Sequence, residues 1–140
     1  MPKTVLKLDD DDQYDFILVG IACQHKDYRL CHELNTRLGI ILKRENDYEI
    51  FNGKRMENVS FSFYRYITNE DDCYYLLSNK GRQGLLIPEQ KQIDYFFMVR
   101  ENVKRIHQQE LINRLKEISV ILGTFSMDPK NLKSRENLLF

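Results

Sequence analysis

Neither sign of charge is in surplus in this chain, where 21 Lys plus Arg meet 21 Asp plus Glu. A protein with no net field does not gather nucleic acid or anionic membrane from a distance, which leaves that role to a local patch. Long apolar runs are missing too. The longest, Phe16 to Cys23, falls far short of the roughly 20 residues a spanning helix needs. Cysteine is scarce: the 3 residues Cys23, Cys31 and Cys73 are an odd set that makes no disulfide framework and suits a reducing compartment. Pro/Ser-rich linkers are absent. No apolar signal core follows Met1-Pro2-Lys3-Thr4, so the expected location is the cytoplasm, with no membrane contact.

At 140 residues the chain is expected to be a single domain, 1–140, able to bury one core without metal or disulfide. Residues 1–13 read as an acidic leader, with Asp9 to Asp12 as its densest part. That run lacks the spaced acids, the glycine and the distal glutamate of a calcium loop, so a solvated leader is the reading. Residues 129–140 read as a tail ending in Leu138-Leu139-Phe140, which should dock on the body, its own or a second copy's.

Periodicity supplies the elements. Tyr14 to Cys23 is apolar on both faces and predicts a central strand. From Lys26 the period lengthens, with Leu30, Cys31, Leu34 and Leu38 on one stripe, and Gly39 stops the helix. Ile40 to Lys43 and Tyr48 to Phe51 predict two short strands or one bent one, and Asn52-Gly53 a turn. Val59 to Tyr66 predicts one strand, returning through Asn69 to Asp72 into Cys73 to Leu77 as a hairpin. Ile106 to Ile118 predicts a helix, with Val103 as an earlier first turn. Ile121 to Met127 predicts a last strand ended by Asp128-Pro129.

The chain is organised around Gly84 to Arg100. Ile93 to Val99 is apolar at every position but Asp94, as befits a strand covered on both sides. Before it, Pro88-Glu89-Gln90-Lys91-Gln92 reads as one helical turn. The order of elements predicts an α+β two-layer sandwich, a mostly antiparallel sheet with two helices on one face. Its second strand-helix-strand unit resembles half a ferredoxin-like or ACT-like domain.

The spelling Ile87-Pro88-Glu89, three residues, then Ile93-Asp94-Tyr95 resembles the IPExxxVDY family of small Bacteroidetes proteins, with Ile93 where that string has Val. The resemblance extends to Tyr14–Leu34, above all Lys26-Asp27-Tyr28-Arg29-Leu30-Cys31, and to Leu132–Leu138. It implies no activity and brings no catalytic or binding residues with it.

Constellations of chemistry are thin. Cys23, His25, Cys31 and His32 are the soft-ligand cluster, yet they lack the paired Cys and His spacing of structural zinc modules, and Cys31 is needed as core. No metal and no cofactor are expected. A cysteine nucleophile would have His25 or His32 as base but no third group to orient it. Phe61, Phe63, Tyr64 and Tyr66 beside Arg65 suggest a base-stacking strand without the basic-glycine-aromatic signature of the RNA-recognition fold. Lys80 and Arg82 sit in the glycine-containing loop 78–84, where a backbone nest for an anion is conceivable. Glu89 and Asp94 flank the tight turn. Asp94 must be satisfied, either by N–H groups of the Pro88–Gln92 turn or by Arg29 or Lys26.

Glu89, Asp94, Lys80, Arg82, Asp27 and Arg29 are therefore the candidate binding residues, with no catalytic set. The expected function is a non-catalytic domain that binds a protein partner or forms a homodimer. RNA binding is the first alternative, and a small-molecule-binding regulatory domain the second.

Overall fold

The computed structural model describes residues 13–102 and 106–140; the acidic run at 9–12 and Val103 lie outside the described residues. The elements in order are β1 (Ile17–Ala22), α1 (Asp27–Leu38), β2 (Lys43–Arg44), β3 (Tyr48–Asn52), β4 (Glu57–Phe61) and β5 (Phe63–Ile67). There follow β6 (Cys73–Ser78), β7 (Tyr95–Arg100), α2 (Gln108–Lys116) and β8 (Gly123–Met127), then two 3-10 turns, Pro129–Asn131 and Arg135–Leu138.

Two covered faces put β1 and β7 side by side inside a six-stranded sheet of order β2-β5-β6-β7-β1-β8, with β1 next to the edge strand β8 and every pairing antiparallel. β1 and β6 run parallel on either side of β7, and β7 and β8 run parallel on either side of β1. Two split β-α-β units therefore interlock, with β2 to β5 inserted between α1 and β6. This is an α+β sandwich with α1 and α2 on one face. Val19, Ile21 and Cys23 of the β1 segment meet Leu30 and Leu34 of α1 and Leu111 and Leu115 of α2 in one core. Gly39 ends α1 in the left-handed region at φ 67°, and its N–H reaches the Asn35 carbonyl at 2.9 Å.

The other sheet face is covered as well. Phe16, Leu18, Phe96 and Met98 pack under the β3–β4 hairpin, the 79–94 segment and the tail, which contribute among others Phe61, Leu86, Ile87 and Leu138. The expected docking of the tail is thus made on the chain's own body: Leu132 and Leu138 are buried, and the Phe140 ring packs on Tyr48, Phe63 and Tyr75.

Several local expectations change. Val59 to Tyr66 is two strands, β4 and β5, because the chain changes sheet at Ser62. Ser78 pins the crossing by giving its N–H to the Ser62 carbonyl at 3.1 Å and taking the Ser62 N–H on Oγ at 3.0 Å. Pro88 to Gln92 is no helix but part of two linked turns, closed by Gln90 N–H to Ile87 O (3.0 Å) and Ile93 N–H to Gln90 O (3.2 Å). α2 is shorter than Ile106–Ile118, although Ile118 is still buried just beyond it.

Candidate binding cleft

Five segments distant in sequence border a cleft of about 580 Å3: the entry to α1, the end of β2 with the stretch after it, the β4–β5 crossing, the end of β6 with its loop, and Tyr95 at the start of β7. Each arrives for a local reason. α1 starts abruptly at Lys26, whose backbone is extended and whose side chain makes no cap, leaving it and Asp27 at the cleft. Arg44 is turned in by its ion pair with Asp47 and by donation to the Glu45 and Phe63 carbonyls.

The loop after β6 is the best determined wall. Gly81 gives its N–H to the Gly84 carbonyl at 2.8 Å, and Lys80 and Leu85 form a bridge, so the loop closes like a small hairpin. A Cβ on Gly81 would lie 2.6 Å from the Ser60 carbonyl and 2.8 Å from the Phe61 ring, so only glycine lets the loop press this close to β4. With the Gly81 N–H spent inside the loop, it is not offered to an anion as a backbone nest would require; the side chains of Lys80 and Arg82 are what the loop presents to the cleft. Below them, fully buried Asn79 donates from Nδ2 to the Gln90 and Ile93 carbonyls and accepts the Ile87 N–H, each at 2.8 Å.

Asp94 is satisfied, but by neither expected partner. Its Oδ2 accepts the Cys23 backbone N–H at 2.8 Å, and its Oδ1 meets Lys80 Nζ at 2.7 Å. The correction has a plain cause: β7 lies beside β1, so the residue before β7 faces the end of β1 rather than its own turn or α1. Arg29 pairs with Glu33 one helical turn on, at 3.6 Å, and is not among the cleft residues. Glu89 is held by the tail, accepting the N–H and the hydroxyl of Ser134. Of the six candidates, then, Asp27, Lys80 and Arg82 share the cleft, Asp94 adjoins it, and Arg29 and Glu89 lie elsewhere. Lys26, considered only as a partner for Asp94, joins them, and Arg44, Ser60, Ser62 and Ser78 join them unforeseen, since nothing in their local spelling sets them apart.

A second cavity of about 380 Å3 adjoins the first, with Lys26, Ser78, Lys80 and Tyr95 lining both. Tyr95 donates its hydroxyl to the His25 carbonyl at 2.7 Å, and burial followed by the nearby Asp27 charge pushes its pKa up. Tyr64 is pushed up in the same way, by burial and then by the Asp27 charge. Lys26 and Arg82 make no ion pair among the described residues.

The thiols are occupied in the body of the fold. Burial pushes both Cys23 and Cys31 up, away from thiolate, and Cys31 sits against the Leu42 carbonyl and the Asn35 amide. Among the described residues no three His, Cys, Asp or Glu are grouped to hold a metal ion. The aromatic strand residues are engaged too: Phe61 and Tyr64 are buried, and Phe63 stacks on Tyr75 at 5.9 Å with Phe140 against both. No family model matches the chain, and no curated protein matches it either.

Proposed function

We propose that this chain is a non-catalytic binding domain of the cytoplasm whose cleft takes an anionic segment of a partner protein. The observation that carries the reading is that Lys26 and Arg82, both exposed and in no ion pair among the described residues, stand at a cleft whose other charges are engaged. Pockets for apolar small molecules are lined mainly by hydrophobic side chains. Hydroxyls, amides and charges line this one, which suits a hydrated, charged segment. Phe51, directly across the hairpin from the cleft residue Asn58, is 59% exposed and offers apolar contact beside the charged part.

A general base needs a carboxylate or imidazole free to take a proton. Here Asp27 accepts the Tyr28 N–H, Asp47 is paired with Arg44, and Asp94 is bonded to the Cys23 N–H and Lys80, which supports binding over catalysis. Three free thiols support a reducing compartment, and among the described residues no helix is long and apolar enough to cross a membrane. Membership of the IPExxxVDY family stays part of the proposal and rests on the spelling alone.

Self-association is a second reading, favoured by the chain's own acids Asp9 to Asp12 as occupant of a second copy's cleft.

The test is capture from native lysate with the full chain. A partner should be retained at low salt, released at high salt, and lost to the Lys26→Ala/Arg82→Ala variant. A partner that the variant retains equally would overturn the cleft as binding surface. Replacing Asp9 to Asp12 with Asn and measuring mass in solution separates self-association from a foreign partner.

A further inference from the structure

We infer that the anion this cleft is built for is a phosphoryl group, carried by a phosphorylated side chain of the partner or arriving as a free phosphate monoester. The inference rests on the reading that the cleft is the binding surface, and it adds the chemistry of the occupant.

The donors are the first argument. Lys26 and Arg82 have no ion-pair partner among the described residues, and the Lys80 ammonium has three N–H groups with one directed at Asp94. Ser78 Oγ already accepts the Ser62 N–H, so its own hydrogen is available to donate into the cleft. A phosphoryl group presents three terminal oxygens and a charge of roughly −1.5 to −2. A carboxylate, with two oxygens and one charge, would leave part of this set unused.

Charge points the same way. The walls of the two cavities carry Lys26, Arg44, Lys80 and Arg82 against Asp27, Asp47 and Asp94, four positive charges against three negative. Asp47 is neutralised by Arg44, while Asp27 repels an anion from its own side and so directs it towards the 80–82 loop.

Rigidity is the third argument. Lys80 and Arg82 flank Gly81, which is pressed against the Ser60 carbonyl, and the loop is anchored by Asn79 below. Cations on so constrained a loop lose little freedom when they close on a ligand, and preorganised donors bind best. The bidentate guanidinium of Arg82 is the natural grip for two of the phosphoryl oxygens.

The experiment titrates the isotope-labelled full chain, followed by backbone amide shifts, with inorganic phosphate, a phosphoserine peptide and its glutamate counterpart. Expected are saturable shifts centred on Lys26 and Ser78 to Arg82 with phosphate and phosphopeptide, and at least about tenfold weaker binding of the glutamate peptide. The Lys26→Ala/Arg82→Ala variant should keep its melting temperature and lose the response. A phosphopeptide at least about tenfold tighter than inorganic phosphate identifies a protein segment as the source, and equal affinities identify a free monoester; both support the inference. Shifts scattered over other cations, or unchanged in the variant, mean an adventitious ion only and overturn it. Equal binding of glutamate and phosphoserine peptides, lost in the variant, also overturns the phosphoryl assignment while leaving the cleft as binding surface.

Discussion

Ser134 gives both of its donors to Glu89, the backbone N–H to Oε2 and the hydroxyl to Oε1, each at 2.8 Å. Three residues further along the tail, Asn137 Nδ2 reaches the Leu86 carbonyl at 2.8 Å. Glu89 is therefore a latch that holds the tail across the second core. Burial pushes its carboxyl up, but the Ser134 and Lys133 backbone N–H groups and the Ser134 hydroxyl outweigh that and hold it below its ordinary 4.5. A lowered folded pKa contributes stability that is present above pH 4.5 and lost as pH falls through the folded value. Glu89→Ala should raise hydrogen exchange and proteolysis over 132–139 at neutral pH, and acidification should make the unsubstituted chain's tail resemble the variant's. Unchanged protection of the tail in the variant would mean that Leu132 and Leu138 dock it without the latch.

What the sequence makes legible follows from how local each cause is. β1 shows both of its faces because Val19, Ile21 and Cys23 need one core and Phe16 and Leu18 another, and apolar alternation records that directly. Gly39 is readable because a left-handed cap needs glycine. The break at Ser62 is not, since Val59 to Tyr66 alternates straight through it and the change of sheet is imposed by Ser78, 16 residues away. Asp94 announces that it needs partners but not which ones: Cys23 is 71 positions distant and reaches it only through the β1–β7 pairing. The cleft is least legible of all, because five segments supply one or a few polar residues each and no segment carries a motif for it.

Gly20 lies where β1 passes under Ile93 and Met127, and a Cβ there would stand 2.7 Å from Ile93 Cδ1 and 2.8 Å from Met127 Cε. Both obstacles are side-chain ends, so Gly20→Ala should fold with a loss of about 1–3 kcal/mol. The loss should shrink when Ile93→Val removes Cδ1, a coupling that a thermodynamic cycle of chemical denaturations measures. Additive losses would show that the strain is backbone rather than packing.

Asp94 joins the end of β1 to the start of the cation loop, and its two bonds can be separated. Asp94→Ala leaves the Cys23 N–H without its acceptor and should cost about 1–3 kcal/mol, whereas Asp94→Asn keeps an oxygen for it and should cost under about 1 kcal/mol. Lys80 is 56% exposed, so Lys80→Ala should cost no more than about 1 kcal/mol. Melting curves of the three variants decide this. A Lys80→Ala loss as large as that of Asp94→Ala would make the ion pair, not the backbone bond, the reason for the acid.

Asn79 is the residue on which the 79–94 segment turns. Its backbone continues the β6–β7 pairing through the Asp94 carbonyl at 2.9 Å, and its own carbonyl accepts the Leu86 N–H at 2.7 Å. Its side chain closes the Gln90 and Ile93 carbonyls and the Ile87 N–H, so five bonds converge on one fully buried residue. Asn79→Ala leaves the Ile93 carbonyl and the Ile87 N–H without the side-chain partner and the Gln90 carbonyl with the Ile93 N–H alone, a loss of about 3–5 kcal/mol that sits at the upper end for single substitutions. Asn79→Asp is the sharper test because it keeps the shape and the acceptor but removes both donors. The introduced carboxylate would face two carbonyl oxygens in a buried site, which raises its folded pKa above the unfolded value and penalises the charged form. A raised folded pKa means that the penalty is full at neutral pH and relieved as pH falls, since the protonated acid donates to one of the two carbonyls. Asn79→Asp should therefore melt below Asn79→Ala at pH 7 and approach or pass it on acidification. If the two variants melt together at every pH, the donations to Gln90 and Ile93 do not hold the segment, and the placement of Lys80 and Arg82 must come from the Gly81 contact with β4 instead.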